Sequence, residues 1–257
     1  MAKNKKAVHV VSAWAANNRI VLGGTATNEK SNEITAIPEL LKMLHIKGCI
    51  ITIDAMGTQK DIAETIIGQG ADYVLPVKEN HPTLHNDIEL FFTFEDNFDK
   101  AKTIEKSHGR YEVRECFVST DVEWIPGIED WEGLSGIGKI VSHRETLSTG
   151  KIEKSVQYVI YSKADMTASE VLNAKRSHWG VENSLHWVLD VTMGEDRSRM
   201  RDGNAAKNMS TIRHMVLNLL NREKSYKASA NLKRKRATFS RSYLLNIIGI
   251  ATPSVSP

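Results

Sequence analysis

The chain has 257 residues, 41% of them hydrophobic and 25% charged, and a formal net charge of +3 at pH 7. These values are typical of a soluble globular protein that buries its own core, so they exclude a disordered chain and a small disulfide-stapled domain. No segment approaches the ~18 apolar residues of a membrane span, and the N-terminus lacks the apolar stretch of a signal peptide. We therefore expect a cytoplasmic protein in which Cys49 and Cys116 are reduced.

The first 98 residues combine β-rich runs with helical periodicity. Asn17 and Asn18 lie between two β-rich runs, which is the pattern of a hairpin. Short apolar runs at 48–54 and 72–77 predict strands covered on both faces, and the crossover helix between them makes these strands parallel. In chain order the predicted elements are strands at 7–16 and 19–27, a helix at 33–45 capped by Asn32, a strand at 48–54, a helix at 58–69, a strand at 72–77 and a helix at 82–92.

Beyond residue 98 polar and apolar residues alternate, with glycine-containing turns at Gly109 and Gly150. This pattern predicts an antiparallel β insertion over about 99–163. The remaining predicted elements are a helix at 169–189 with a break near Gly180, a helix at 205–223, and a basic, flexible tail at 224–257. Together they predict a mixed α/β layer architecture with one domain over 1–223.

Asp54 ends the predicted strand at 48–54 and precedes a turn that contains Gly57. Ligand sites in open α/β sheets form at the carboxyl ends of strands, so this position favours a functional carboxylate. The alternative is a structural role, in which Asp54 caps the turn or helix that follows. The sequence alone leaves both interpretations open.

Glu182 lies on a predicted helix, with His178 four residues before it and His186 four residues after it, so the three side chains share a face. Three interpretations follow: a His-Glu-His site for a transition metal, ordinary surface residues, or an inward carboxylate that shares a cation with Asp54. Apolar residues flank Glu182 on the predicted buried side, where a carboxylate is costly unless it is paired or binds a cation. The pattern favours the third interpretation.

Six segments carry a resemblance to a known family. In chain order they read AVHVVSAWA, EKSNEITAIPELL, GCIITIDAMGTQ, DYVLPVKEN, SHGRYEVRE and HWGVENSLHWVLDVTMGEDRSRMRDGNAAKNMSTIRHMVLNLL. Together they resemble the H-repeat-associated transposases, which are bacterial insertion-sequence enzymes of the DDE type with an RNase-H-like fold. The resemblance extends from about Lys6 to Arg222.

The resemblance implies an RNase-H-like mixed sheet with flanking helices, in which three carboxylates hold two Mg²⁺ ions for DNA cleavage and strand transfer. By motif, Asp54 is the second of these catalytic, metal-binding carboxylates and Glu182 is the third. The segment at 99–163 matches the β insertion of such enzymes. The first carboxylate has no counterpart, because no Asp precedes Asp54 and the first strand of the fold is absent. We therefore expect an inactive or impaired fragment.

DNA is the implied partner, both as the ends of the mobile element and as the target, bound by a homodimer in a synaptic complex associated with the bacterial nucleoid. Charge supports a polyanion partner, because 13 Lys or Arg but only two acids lie between Arg197 and Arg241. Related enzymes often have Arg four residues before the catalytic Glu and Lys seven after it, where this chain has His178 and Leu189. The residues expected to contact DNA phosphates are Lys78, Arg110, Arg114, His178, Arg197, Arg199, Arg201 and Lys207.

Each of these basic residues is equally well explained, taken alone, as solvated surface. Two further functions also stay open at this stage. One is a non-catalytic DNA-binding remnant that inhibits or associates with an intact transposase. The other is a metal hydrolase that uses Asp54, Glu182 and the histidines on a different substrate.

Overall fold

The computed structural model describes residues 9–27, 33–95, 98–107, 109–200 and 204–249. The chain divides into two compact units. The contiguous segment Ile37–His178 is called here the central unit. The chain before Ile37 and the chain after His178 combine into the second, called here the terminal unit. This division does not coincide with the predicted bounds of 1–223 and 224–257, and the domain assignment stays a prediction.

The described part of the chain combines strands and helices, as a mixed α/β protein requires. Its strands are β1 (His9–Ala15), β2 (Ile20–Thr27), β3 (Ile50–Thr52), β4 (Asp72–Val77), β5 (Asp99–Ser107), β6 (Arg110–Ser119), β7 (Gly136–Thr146) and β8 (Lys151–Tyr161). Its α-helices are α1 (Glu33–Lys42), α2 (Lys60–Gly68), α3 (Pro82–Phe94), α4 (Ala168–Val181), α5 (Ala205–Arg222), α6 (Ala230–Phe239) and α7 (Arg241–Ile247). None of these described helices is long and apolar enough to cross a membrane. Asn32, the predicted cap of α1, lies outside the described residues.

The central unit is built on a mixed six-stranded sheet in the order β3-β4-β8-β7-β6-β5. Strands β3 and β4 are parallel, as the crossover helix between them predicted, and the other neighbours are antiparallel. The prediction that both faces are covered is confirmed for β4, in which all residues after Asp72 are buried. It is wrong for β3, which is the edge strand and leaves Ile50 40% exposed. An apolar run does not by itself reveal which strand ends a sheet.

Helices cover both faces of this sheet. On one face α4 places Val171 in a buried cluster with Val159 of β8. The preceding residue, Tyr158, points to the opposite face because side chains alternate along a strand. There its ring stacks on Phe92 of α3, with 6.4 Å between the ring centroids. The long antiparallel strands β5 to β8 confirm the predicted antiparallel β segment, and its assignment as an insertion stays a prediction.

The terminal unit begins with the predicted hairpin. Strands β1 and β2 pair antiparallel around a turn that contains Asn17 and Asn18, and together they form a separate two-stranded sheet. Val21 of β2 packs in a small core with Leu189 and Leu217. A hairpin alone is marginally stable in water, so this core against helical residues is what gives it independent stability.

The helix that carries Glu182 does not break near Gly180. After α4 ends at Val181 it widens into two π-helical turns, Glu182–His186 and Val188–Thr192. Such turns are rare and occur frequently at functional sites. Hydrophobic periodicity averages over several turns and does not register a local change of helical pitch.

The segment predicted as a flexible tail contains α6 and α7. Tyr243 and Ile247 of α7 are buried in a cluster with Leu220 of α5. Four consecutive residues of α6, 233–236, are basic, so its own sequence gives little sign of a packed helix. The order comes from contacts with α5, which precedes it in the chain.

Candidate metal and DNA-binding site

Asp54 caps the turn that follows β3. Its backbone is extended, and its Oδ1 accepts a hydrogen bond of 3.1 Å from the backbone N–H of Gly57 at the end of a 3₁₀ turn. Gly57 is buried, and a Cβ there would lie 2.2 Å from Cγ2 of Ile53, so no larger residue fits. The structure therefore confirms that Asp54 caps the turn. The side chain is nevertheless exposed, and Gly57 gives the carboxylate its only hydrogen bond from a described residue.

The end of α4 lies against this strand end within the central unit. Thr52 Oγ1 and His178 Nδ1 are 3.4 Å apart. One turn earlier on α4, Lys175 is partly buried and lies in the electrostatic field of Asp54 and Lys78. Burial lowers the pKa of Lys175, as does the neighbouring Lys78 ammonium, and Asp54 opposes both effects. Sequence analysis missed Lys175, although its spacing of three residues from His178 puts both on one face of the helix.

Glu182 opens the first π-helical turn, and its side chain is exposed. The prediction that it points inward is therefore wrong. Leu185, Leu189 and Thr192 are the buried residues of the two π-helical turns. Glu182 belongs to the terminal unit and Asp54 to the central unit.

The described residues contain no group of three His, Cys, Asp or Glu side chains that could hold a metal ion. The His-Glu-His interpretation of residues 178, 182 and 186 is therefore not supported. The ligand chemistry of Asp54 and Glu182 does fit Mg²⁺, which prefers carboxylate oxygens and keeps several of its waters. Both carboxylates are exposed, and neither forms a salt bridge with another described residue, so both are accessible to a hydrated cation.

The residues predicted to contact DNA fall into different environments. Lys78, Arg110, Arg197, Arg199 and Lys207 are exposed, and Arg201 lies outside the described residues.

Arg114 is poorly available to DNA. Its guanidinium is paired with Glu105 at 3.0 Å and with Glu112 at 2.7 Å, and its side chain is 18% exposed. Glu105 is also paired with Arg176 of α4, so these charges tie the β insertion to α4. The two arginines hold the pKa of the Glu105 carboxyl below its ordinary value, chiefly through the Arg114 hydrogen bond.

The mixed sheet with helices on its faces is consistent with the RNase-H-like fold of DDE transposases. Residues 2–219 match the family described as Transposase DDE domain, and the chain belongs to this family. It is 44% identical over 255 residues to the "H repeat-associated putative transposase YhhI" of Escherichia coli K12, an alignment that covers 96% of this chain and 67% of that protein. It is 45% identical over 252 residues to the "Putative transposase YncI" of Escherichia coli O157:H7, covering 96% and 64%.

The chain thus spans about two thirds of the length of these relatives. The resemblance on which the sequence analysis relied is confirmed, both for the family and for the H-repeat-associated group within it.

Proposed function

We propose that this chain acts in DNA transposition, through metal-dependent cleavage of DNA and strand transfer. Membership of the transposase DDE family carries the proposal. Two features support it. An exposed carboxylate, Asp54, follows a sheet strand, and a second exposed carboxylate, Glu182, starts a π-helical turn. Strand ends and π turns are both frequent positions for functional residues.

In this proposal Asp54 and Glu182 hold divalent cations, with Mg²⁺ as the expected ion. When bound, such ions activate the attacking oxygen and stabilise the leaving oxygen of the phosphodiester. The Gly57 N–H fixes one oxygen of Asp54 and leaves the other free to bind a cation. Lys175 and Lys78 add positive charge beside Asp54, which favours a DNA phosphate at the same place.

The exposed cations predicted from sequence contact the DNA backbone in this proposal, without reading the base sequence. The expected partners are the ends of the element and its target, bound by a homodimer near the bacterial nucleoid. In this proposal Asp54 and Glu182 are two of the family's three catalytic carboxylates.

A binding and cleavage assay tests the proposal. The purified chain is mixed with labelled DNA that carries the element's ends, in Mg²⁺ and in EDTA, and is compared with Asp54→Asn and Glu182→Gln. Glu64→Gln, an exposed carboxylate on α2, is the matched control. We expect Mg²⁺ to strengthen DNA binding or promote cleavage in the parent chain and in the control, and neither effect in the two site variants.

A Mg²⁺ effect that survives in both site variants overturns these assignments. DNA binding that is indifferent to Mg²⁺, with no cleavage, supports the alternative of a non-catalytic protein that associates with intact transposase.

A further inference from the structure

A basic cavity lies in the terminal unit, and none of its lining residues is assigned to the metal site. Its volume is about 390 Å³, and residues from the hairpin turn, the first π-helical turn, the end of α5 and the start of α6 line it. The polar residues of its wall include Arg19, Ser184, Lys224, Lys227 and Ser229. We call this cavity the basic pocket. Its volume is within the roughly 300–1,000 Å³ typical of ligand sites.

The only carboxylate among the lining residues, Glu223, is already neutralised. It lies 3.6 Å from the Lys233 ammonium and accepts hydrogen bonds from the Tyr243 hydroxyl at 2.8 Å and from Ser225. Burial raises the pKa of Glu223, but these hydrogen bonds and Lys233 outweigh burial and lower the pKa to about 2. Glu223 is therefore ionised at neutral pH, and its charge is balanced by Lys233.

The other three cations of the pocket have no carboxylate partner of this kind. Within the described ranges, no carboxylate forms an ion pair with Arg19, Lys224 or Lys227. The pocket therefore carries a net charge of about +3 from its side chains. Hydroxyl groups among the lining residues, which include Ser184 and Ser229, add hydrogen-bond donors of the kind that bind phosphate oxygens.

Arg19 is held in an unusual conformation at the wall of this pocket. Its φ of +56° is the only positive value among the non-glycine residues that the structure describes. The side-chain amide of Asn221 donates a hydrogen bond of 2.9 Å to the Arg19 carbonyl. The Arg19 Nη2 donates a hydrogen bond of 3.4 Å to Ser184 Oγ. An arginine in left-handed backbone is disfavoured unless its surroundings hold it there, and such residues cluster at functional sites. The hydrogen bond to Ser184 places the Arg19 guanidinium beside the first π-helical turn. Ser184 follows Glu182 by two residues on that turn.

We propose that the basic pocket binds the sugar-phosphate backbone of a DNA strand. The ligand must be anionic and rich in acceptors, because the charged side chains available to it are donors without acceptor capacity. Arginine and lysine together at a pocket of this size match a nucleotide phosphate and its sugar. Lys224 and Lys227 also belong to the stretch in which basic residues greatly outnumber acids, as an extended polyanion requires. The inference rests on the proposed function, since it takes DNA as the partner.

Fluorescence anisotropy with a labelled DNA duplex tests the pocket, using the full chain in EDTA so that bound metal makes no contribution. The pocket variant is Lys224→Gln/Lys227→Gln, which leaves the backbone of the hairpin unchanged. The control is Arg234→Gln/Lys235→Gln, which removes the same charge from exposed positions of α6 that do not line the pocket. Arg19→Gly is a third variant, because glycine accepts a positive φ and keeps the turn.

We expect the pocket variant to bind DNA about tenfold or more weakly than the control. The logarithm of its binding constant should also fall less steeply with the logarithm of the salt concentration. The slope should be smaller by about 0.9 for each phosphate that the protein no longer neutralises. Arg19→Gly should weaken binding in the same direction while its thermal unfolding stays close to that of the parent chain. Equal affinities in the pocket and control variants overturn the inference, as does a parent chain that binds no DNA in EDTA.

This outcome is separable from the test of the metal site. In EDTA no metal is bound, so the pocket effect is measured by Lys224→Gln/Lys227→Gln against Arg234→Gln/Lys235→Gln alone. Loss of the Mg²⁺ effect with an intact pocket effect, or the reverse, shows which of the two assignments has failed.

Discussion

The side-chain amide of Asn218 forms hydrogen bonds with both backbone polar groups of Val21, although the two residues are 197 positions apart. The Val21 N–H donates to Asn218 Oδ1 at 2.8 Å, and Asn218 Nδ2 donates to the Val21 carbonyl at 2.8 Å. One side chain of α5 thereby replaces the hydrogen bonds that a neighbouring strand would make. Buried backbone groups are costly when unpaired, so this contact fixes β2 to the helix.

Asn218→Leu should therefore destabilise the protein by about 2–5 kcal/mol, because it leaves two largely buried backbone groups without partners. Urea unfolding followed by circular dichroism measures the change. Asn208→Leu, at an exposed position of the same helix, is the matched control and should stay within about 0.5 kcal/mol of the parent. Similar unfolding midpoints for the two variants would contradict the structural role of Asn218.

Glu223→Gln should cost about 3–5 kcal/mol at pH 7, because it leaves the buried Lys233 ammonium without its counter-charge. The pH dependence has a defined sign. The folded pKa of Glu223 is lowered to about 2, so its contribution is fully present above the ordinary carboxyl pKa and is lost as the pH falls from about 4.5 towards 2. Denaturant unfolding at several pH values measures it.

Glu33 also belongs to the terminal unit but is not the partner of Lys233. Glu33→Gln should therefore keep the acid sensitivity of the parent chain. An equally steep loss of stability between pH 4.5 and 2 in Glu223→Gln would mean that other carboxylates govern the acid response.

Gly57→Ala should disturb the turn that Asp54 caps. The added methyl group would lie 2.2 Å from Ile53 Cγ2 and 3.2 Å from Ile37 Cδ1, so the turn must shift at a cost of about 1–3 kcal/mol. We also expect the Mg²⁺ effect on DNA binding to fall, since the Gly57 N–H orients Asp54. Gly68→Ala, where a new methyl group meets nothing within 4 Å, is the control and should be neutral or slightly stabilising. Equal stability and equal Mg²⁺-dependent DNA binding in the two variants would contradict the role of Gly57 in orienting Asp54.

Arg110 and Arg114 should respond differently to replacement by Gln. Arg110 is exposed, so its loss should reduce DNA affinity and lower the salt slope by about 0.9, with little change in stability. Arg114 is paired with Glu105 and Glu112, so its loss should instead cost about 1–2 kcal/mol of stability. Anisotropy titrations and urea unfolding on the same preparations separate the two effects. The reverse pattern would mean that Arg114 leaves its carboxylates to bind DNA.

Local patterns predicted much of the fold. Two asparagines between β-rich runs gave the hairpin, and an intervening crossover helix gave the parallel pairing of β3 and β4. The position of Asp54 at a strand end also followed from sequence, as did its alternative role as a cap. These features depend on neighbours close in the chain, which sequence patterns record directly.

Features that depend on distant residues were not predictable. Glu182 is exposed and begins a π-helical turn, and hydrophobic periodicity does not reveal such a change of helical pitch. Helix α6 carries four consecutive basic residues, and its Lys233 forms hydrogen bonds with backbone carbonyls at the end of α5. Lys175 and Arg114 look like any surface cations until their partners are known. Their surroundings follow from the tertiary fold alone.

The division of the terminal unit between the two ends of the chain bears on how the protein emerges from the ribosome. The central unit is one continuous stretch and can fold while synthesis goes on. Val21 leaves the ribosome before the central unit does, whereas Asn218 follows 197 residues later. At elongation rates of about 5–20 residues per second, the hairpin waits on the order of 10–40 s for the helix that covers it. During that interval the nascent hairpin is a natural point of contact for chaperones, and its folding is timed by the arrival of α5.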